Sequence, residues 1–217
     1  MKHVAKRASP APFEAWKSAG NASRVPSYSN LQNPQKKILH HALLDEQARV
    51  CCYCGRSISL ETSHIEHFRL QENYPHLALD FTNLHASCIR ETRPGAPLHC
   101  GHAKGSGFDE AMHISALDPQ CERRFMYALD GAILASDGED AAAVYMRDLL
   151  RLDIAFVQTR RQAVLAAVFD TDFLASATDD ELQRLASAFR TPDANSALED
   201  FGHVLARFAE QLAGRPL

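Results

Sequence analysis

Cys51 and Cys54 form a Cys-x-x-Cys knuckle within Cys-Cys-Tyr-Cys-Gly, and Cys88 and Cys100 add a second, wider pair. Four thiolates in that pattern make a closed tetrahedral zinc site, structural because no position stays open for water. Cys52 offers a competing Cys-x-Cys register, and His99 or His102 could replace a thiolate. Buried, unliganded cysteines are the plain alternative. Cys121 lies outside the pattern and reads as a core residue. Between the two pairs runs Ser63-His64-Ile65-Glu66-His67-Phe68, and Asn83-Leu84 precedes Cys88. Phosphodiester hydrolysis needs a base to take a proton from water and a divalent cation to stabilise the developing charge. Adjacent residues on a strand face opposite sides, so Glu66 and His67 can divide these tasks. His67 is read as the base and Glu66 as a ligand of one Mg²⁺ or Mn²⁺, an ion that keeps several waters and needs few protein ligands.

Asn83 could use its amide to hold the loop around the strand end and orient His67, or cap a following helix. In Cys100-Gly101-His102-Ala103-Lys104, His102 is placed to be the second ligand of the catalytic cation and Lys104 to contact a phosphate. His64 shares the strand face of Glu66; a supporting role and a structural one both stay open. Arg69 and Arg90 are candidate phosphate contacts, with ordinary surface arginine as the alternative.

These residues need elements to position them. Residues 1–44 read as a Pro/Ser/Asn-rich basic arm, pinned by Phe13 and Trp16, and then a helix from Asn33-Pro34 to about Arg49. Residues 45–128 form the cysteine-bracketed core, with short strands near Ile58–Leu60 and His64–Phe68 and a helix starting near Asn83. Arg90–Leu98 is an inserted loop. Residues 129–217 read as helical. Tyr145, Leu149, Leu152, Phe156 and Ala163 suggest one helix from Ala141 to Phe169. Thr178-Asp179-Asp180-Glu181 and Ser196-Ala197-Leu198-Glu199 are capping boxes that should open two more helices, the last ending near Gly214. The fold class is therefore α+β: a small zinc-stapled core flanked by helices.

The 217-residue chain has a formal charge of −4, unevenly spread. Residues 1–40 hold seven Lys/Arg against Glu14 alone, whereas residues 130–217 hold eight against fifteen acidic side chains. Proteins that grip nucleic acid unaided usually show a strongly basic footprint, and here only the N-terminal arm resembles one. No apolar run is long enough to span a membrane. The cysteine usage then implies a reducing, cytoplasmic setting in which clustered thiols bind metal rather than pair.

Together the Cys-x-x-Cys knuckle, the Glu66-His67 strand, Asn83-Leu84 with Cys88, and the closing Cys100-Gly-His-x-Lys104 resemble the HNH, or ββα-metal, endonucleases. More narrowly, Ser-His-Ile-Glu-His-Phe-Arg, Tyr-Pro-His-Leu-Ala-Leu-Asp-Phe-Thr-Asn-Leu and Cys-Gly-His-x-Lys look like the HNH subunit (PtuB) of Septu-type and retron-associated anti-phage systems. That resemblance implies a ββα-metal core, a nucleic-acid substrate (DNA or RNA), structural Zn²⁺, catalytic Mg²⁺ or Mn²⁺, and an ABC-type ATPase partner (PtuA-like). Two positions depart from the family pattern. Leu70 stands where proline is usual, and Gly101 stands where a ligand His or Asn is usual, which passes the second-ligand role to His102. The residues leave open a different class, a zinc-stabilised module that binds nucleic acid through the basic arm without activity of its own.

Overall fold

The computed structural model describes residues 1–21 and 25–214. The protein is α+β, and its described residues form two separate two-stranded antiparallel sheets set among helices. In chain order the helices before the site are α1 (Ala11–Ser18) and α2 (Gln35–Glu46), followed by strands β1 (Ser63–His67) and β2 (Leu84–Cys88) and the short helix α3 (Gly101–Lys104). Beyond it come β3 (Phe125–Tyr127), β4 (Ile133–Ala135), α4 (Ala141–Leu149), α5 (Ala155–Val168), α6 (Thr171–Ser176), α7 (Asp179–Phe189) and α8 (Gly202–Ala213).

The β1–β2 hairpin has a single register, Ser63 opposite Cys88 through His67 opposite Leu84. It is buried on both faces. Ser63, Ile65 and His67 share one face by alternation, on which the Ser63 hydroxyl lies 2.8 Å from His40 Nε2 of α2. His64 and Glu66 point the other way, toward α3. Gln47, just past α2, pins β2 in place: its amide donates to Ala86 O and accepts from Ala86 N, at 2.8 and 2.7 Å. The β1 strand falls within one residue of the expected segment. Near Ile58–Leu60 there is no strand among the described residues, only an isolated bridge between Val50 and Ser57.

Asn83 opens no helix. It ends a 3₁₀ turn (Phe81–Asn83) whose cap is Asp80, and the chain continues directly as β2. The expected Ala141–Phe169 helix is broken into α4 and α5. Leu150 O accepts from Cys100 N at 2.8 Å and Leu152 O from the Arg161 guanidinium at 2.7 Å, so these carbonyls are drawn to partners outside the helical i→i+4 pattern. Arg151 between them is left-handed, φ +50°. The Thr178–Glu181 capping box does open a helix, α7. Ser196 does not: its φ is +59°, outside the extended range a cap needs, and Asp193 Oδ1 takes the nearby backbone N–H groups of Asn195 and Ala197. The final helix begins at Gly202 instead and stops at Gly214 as expected.

The N-terminal segment is not a free basic arm. Met1 and Val4 are buried in the core, and Lys2 N and Val4 N donate to Cys52 O and Ala116 O. Lys2 pairs with Glu122 (3.3 Å), Lys6 with Glu46 (2.5 Å) and Lys17 with Glu14 (2.7 Å). Three of the basic side chains of this segment are thereby committed to carboxylates. Arg24 lies outside the described residues.

The C-terminal helices dock on the cysteine knuckle. Leu198 N and Phe201 N donate to Ala48 O and Gly55 O, both at 2.9 Å, and Ser57 N donates to Asp200. Gly55 is where this contact needs glycine. Its φ is +78°, and a Cβ there would lie 2.1 Å from the ring of buried His203 on α8. Gly55→Ala is therefore expected to destabilise the protein by about 2–5 kcal/mol, combining left-handed strain with overpacking. A chemical-denaturation midpoint indistinguishable from wild type would contradict that docking.

Candidate active site

Cys51, Cys54, Cys88 and Cys100 are all buried, and their Sγ atoms lie within 4.8 Å of one another. Zinc–sulfur bonds of about 2.3 Å in a tetrahedron place sulfurs about 3.8 Å apart, and Cys54 and Cys88 Sγ are 3.6 Å apart. The donor set and spacing fit a zinc ion. Cys52 is buried outside this group, so the competing register is not the one that gathers. His99 replaces no thiolate here but touches two, with Nδ1 3.1 Å from Cys100 Sγ and 3.4 Å from Cys88 Sγ. Cys121 packs in the apolar core as expected. The cluster joins the knuckle, the end of β2 and the start of α3, bringing the short helix against β1.

Glu66 is 6 % exposed, and three groups surround its carboxylate. The Tyr53 hydroxyl donates to Oε1 at 3.2 Å, the Lys104 ammonium contacts the same oxygen, and His64 Nε2 lies 3.3 Å from Oε2. Burial, the largest single influence, would raise this carboxyl. His64 and Lys104 outweigh it and hold the pKa at about 2. Glu66 is therefore ionised at neutral pH. Tyr53, inside the Cys-Cys-Tyr-Cys knuckle, was legible as a neighbour of the site only through its place between two ligands.

His67 projects from the opposite face of β1. Its Nε2 lies 3.0 Å from Ala78 O. A carbonyl only accepts, so Nε2 carries the proton and Nδ1 keeps a lone pair. Burial lowers the imidazole pKa below its ordinary 6.5, only partly offset by the Ala78 bond and the charge of Glu66. The Tyr28 ring sits edge-on to it, centroids 4.5 Å apart, a neighbour with no signal in the sequence.

Asn83 is buried and clamps the loop that carries Ala78. Its Oδ1 accepts from Arg69 N (2.8 Å), and its Nδ2 donates to Arg69 O (3.0 Å) and Leu77 O (3.2 Å). Lys104 is not where a phosphate contact must be. It is 3 % exposed, and its ammonium is spent on Glu66, His67 O and Phe68 O. The burial that makes it costly as a free cation makes it effective as a counter-charge to Glu66. Arg69 lies at the surface, held fork-on by Glu110, which also accepts from Tyr74. His102 is half-buried, its Nε2 3.0 Å from Ile89 O and its ring centroid 4.5 Å from that of His64.

Beside His64 opens a cleft of about 1050 Å³. Lys36, Lys37, Arg56, Arg90 and Arg93 line it against Glu61 and Glu91. On a chain of net charge −4 this is a local gathering of positive charge. No helix among the described residues is long and apolar enough to cross a membrane.

An acidic residue and a histidine on a β-hairpin, closed by a short helix and stapled by four cysteines, is the arrangement of ββα-metal sites. No protein-family model matches the chain. It is 30 % identical over 101 residues to a protein of Vibrio cholerae serotype O1 biovar El Tor named "Retron Vc95 putative HNH endonuclease". The match covers 45 % of this chain and 47 % of that protein, so the chain spans about half the length of the curated relative it matches.

Proposed function

We propose that the protein is a metal-dependent HNH endonuclease subunit that hydrolyses nucleic-acid phosphodiester bonds in anti-phage defence, working beside an ABC-type ATPase of the PtuA kind. The observation that carries the reading is the state of His67. It is neutral, fixed through Nε2–H on Ala78 O, and its free Nδ1 is available to take a proton from water. One residue away, ionised Glu66 is suited to a divalent cation, together with an imidazole nearby: His102 by the expectation from spacing, or His64 by its distance. Mg²⁺ or Mn²⁺ bound there would stabilise the negative charge that develops on the phosphoryl oxygens. Asn83 keeps the Ala78 carbonyl in place and so positions the base. Lys104 and Tyr53 hold one carboxylate oxygen of Glu66. The basic cleft and the likeness to a retron HNH protein support a nucleic-acid substrate and a role in defence. The acidic C-terminal half supports a partner that supplies part of the affinity, since phosphate neutralisation drives most nucleic-acid binding.

The expected result is cleavage with Mg²⁺ or Mn²⁺, leaving 5′-phosphate and 3′-hydroxyl ends, by the chain alone or with its ATPase, and none in EDTA. The rate should rise with pH as His67 loses its proton. Because burial lowers that pKa, the midpoint of the rise should lie below pH 6.5. Absence of cation-dependent cutting with and without the ATPase would favour the inactive binding module.

A further inference from the structure

We propose that the nitrogen ligand of the divalent cation is His64, supplied by β1 two residues before Glu66, and that His102 stands outside the coordination sphere. This rests on the nuclease reading above and departs from the ligand expected on the closing helix. His64 and Glu66 share one strand face, and His64 Nε2 lies 3.3 Å from Glu66 Oε2. The other ring nitrogen, Nδ1, lies 2.6 Å from Ile89 O. Since the carbonyl accepts, Nδ1 carries a proton, while Nε2 faces Glu66 Oε2, donating to it as it stands and able to offer its lone pair to a cation on giving up that proton. A ligating histidine is typically oriented in this way by a backbone carbonyl on its far nitrogen. The two oxygens of Glu66 are distinguished as well. Oε1 is taken by Tyr53 and Lys104, and Oε2 faces His64.

Two backbone features make room for this arrangement. Ile89 follows β2 with φ +71°, a conformation that β-branched residues rarely adopt. It delivers one carbonyl to both His64 Nδ1 and His102 Nε2. Gly101 opens α3 directly after Cys100, where the resembling enzymes carry their helix ligand. A Cβ at Gly101 would lie 2.5 Å from Glu66 Oε2 and 2.7 Å from His64 Nε2. The tip of the His64 ring therefore fills the space a side chain at position 101 would need. The strand supplies the ligand that the helix has given up. His102, its Nε2 proton engaged by Ile89 O and its ring tilted 52° against His64, acts as a buttress.

The test uses Mn²⁺ as the probe, on the full chain loaded with zinc, read by pulsed EPR and by Mn²⁺ titration. Wild type and His102→Ala should both show the ¹⁴N coupling of a directly bound imidazole. His64→Ala and the volume-preserving His64→Gln should lose it and bind Mn²⁺ at least about 10-fold more weakly. Gly101→Ala should also weaken Mn²⁺ binding by crowding both ligands. Zinc content and melting temperature report whether each variant is folded. Wild type without nitrogen coupling overturns the assignment, as does coupling that survives in His64→Gln or vanishes in His102→Ala. The last arm decides the matter even if His64→Ala does not fold. Nitrogen-coupled Mn²⁺ in a protein that cuts no nucleic acid would instead overturn the nuclease reading and leave the ligand assignment standing.

Discussion

His67→Ala should slow cation-dependent cleavage by about 10²–10⁴-fold, the usual contribution of a positioned general base. The effect is specific because every interaction of the ring serves one proton-transfer geometry. Nε2–H is held by Ala78 O, burial keeps the imidazole neutral near pH 7, and Tyr28 fixes the ring edge-on. His67→Gln fills similar space without a comparable base and should be equally impaired, separating lost chemistry from lost packing. Both variants should retain zinc, since His67 lies outside the cysteine group. Single-turnover cleavage at saturating Mn²⁺ is the measurement; a His67→Ala rate equal to wild type would sink the mechanism. Asn83→Ala should act through the same residue by loosening the loop that presents Ala78.

The second large effect is expected from the metal staple. Structural zinc contributes roughly 10–16 kcal/mol in small modules, comparable to the entire stability of an ordinary domain. Here the thiols connect three elements that hold themselves together poorly. Alone, α3 is only four residues long, far below the length at which a helix persists in water. Strong chelation, or Cys54→Ser, should therefore release α3 from β1, remove Lys104 from Glu66, and abolish cooperative unfolding. Cys52→Ser is the internal control. Cys52 is as buried as its neighbours but stands outside the four-sulfur group, so that variant should keep one zinc per chain by native mass spectrometry. Loss of zinc in Cys52→Ser, with retention in Cys54→Ser, would mean the cluster has been assigned to the wrong thiols.

Several features were legible from neighbours in the chain. The alternation in Ser-His-Ile-Glu-His gives a strand with Glu66 and His67 on opposite faces, and Thr178 with Glu181 caps a helix through contacts three residues apart. Features decided by which of several competing groups takes a backbone N–H or C=O were not. Ser196 carries the same cap pattern as Thr178, yet Asp193 takes the nearby amides and turns the chain away. The apolar stripe from Tyr145 to Ala163 reads as one helix, but Cys100 N and Arg161 claim the carbonyls of Leu150 and Leu152 and end it. Asn83 looks like a helix cap because asparagine favours caps; its amide is instead committed to the 69–77 loop, and the chain enters β2.

For the site, the sequence by itself determined the kinds of chemistry present: four thiols spaced for zinc, and a carboxylate beside an imidazole. Residue type and local spacing are enough for that, since ligand preference and strand alternation are properties of a few adjacent residues. Only the tertiary structure decided which group meets which. Lys104 turned out to be the buried counter-charge of Glu66 rather than a surface cation, and the basic N-terminal segment proved to be paired with carboxylates. The gap at Gly101 became readable as space filled by His64. Burial and long-range pairing set the protonation state and direction of these side chains, and both arise from elements that are adjacent only after the chain has folded.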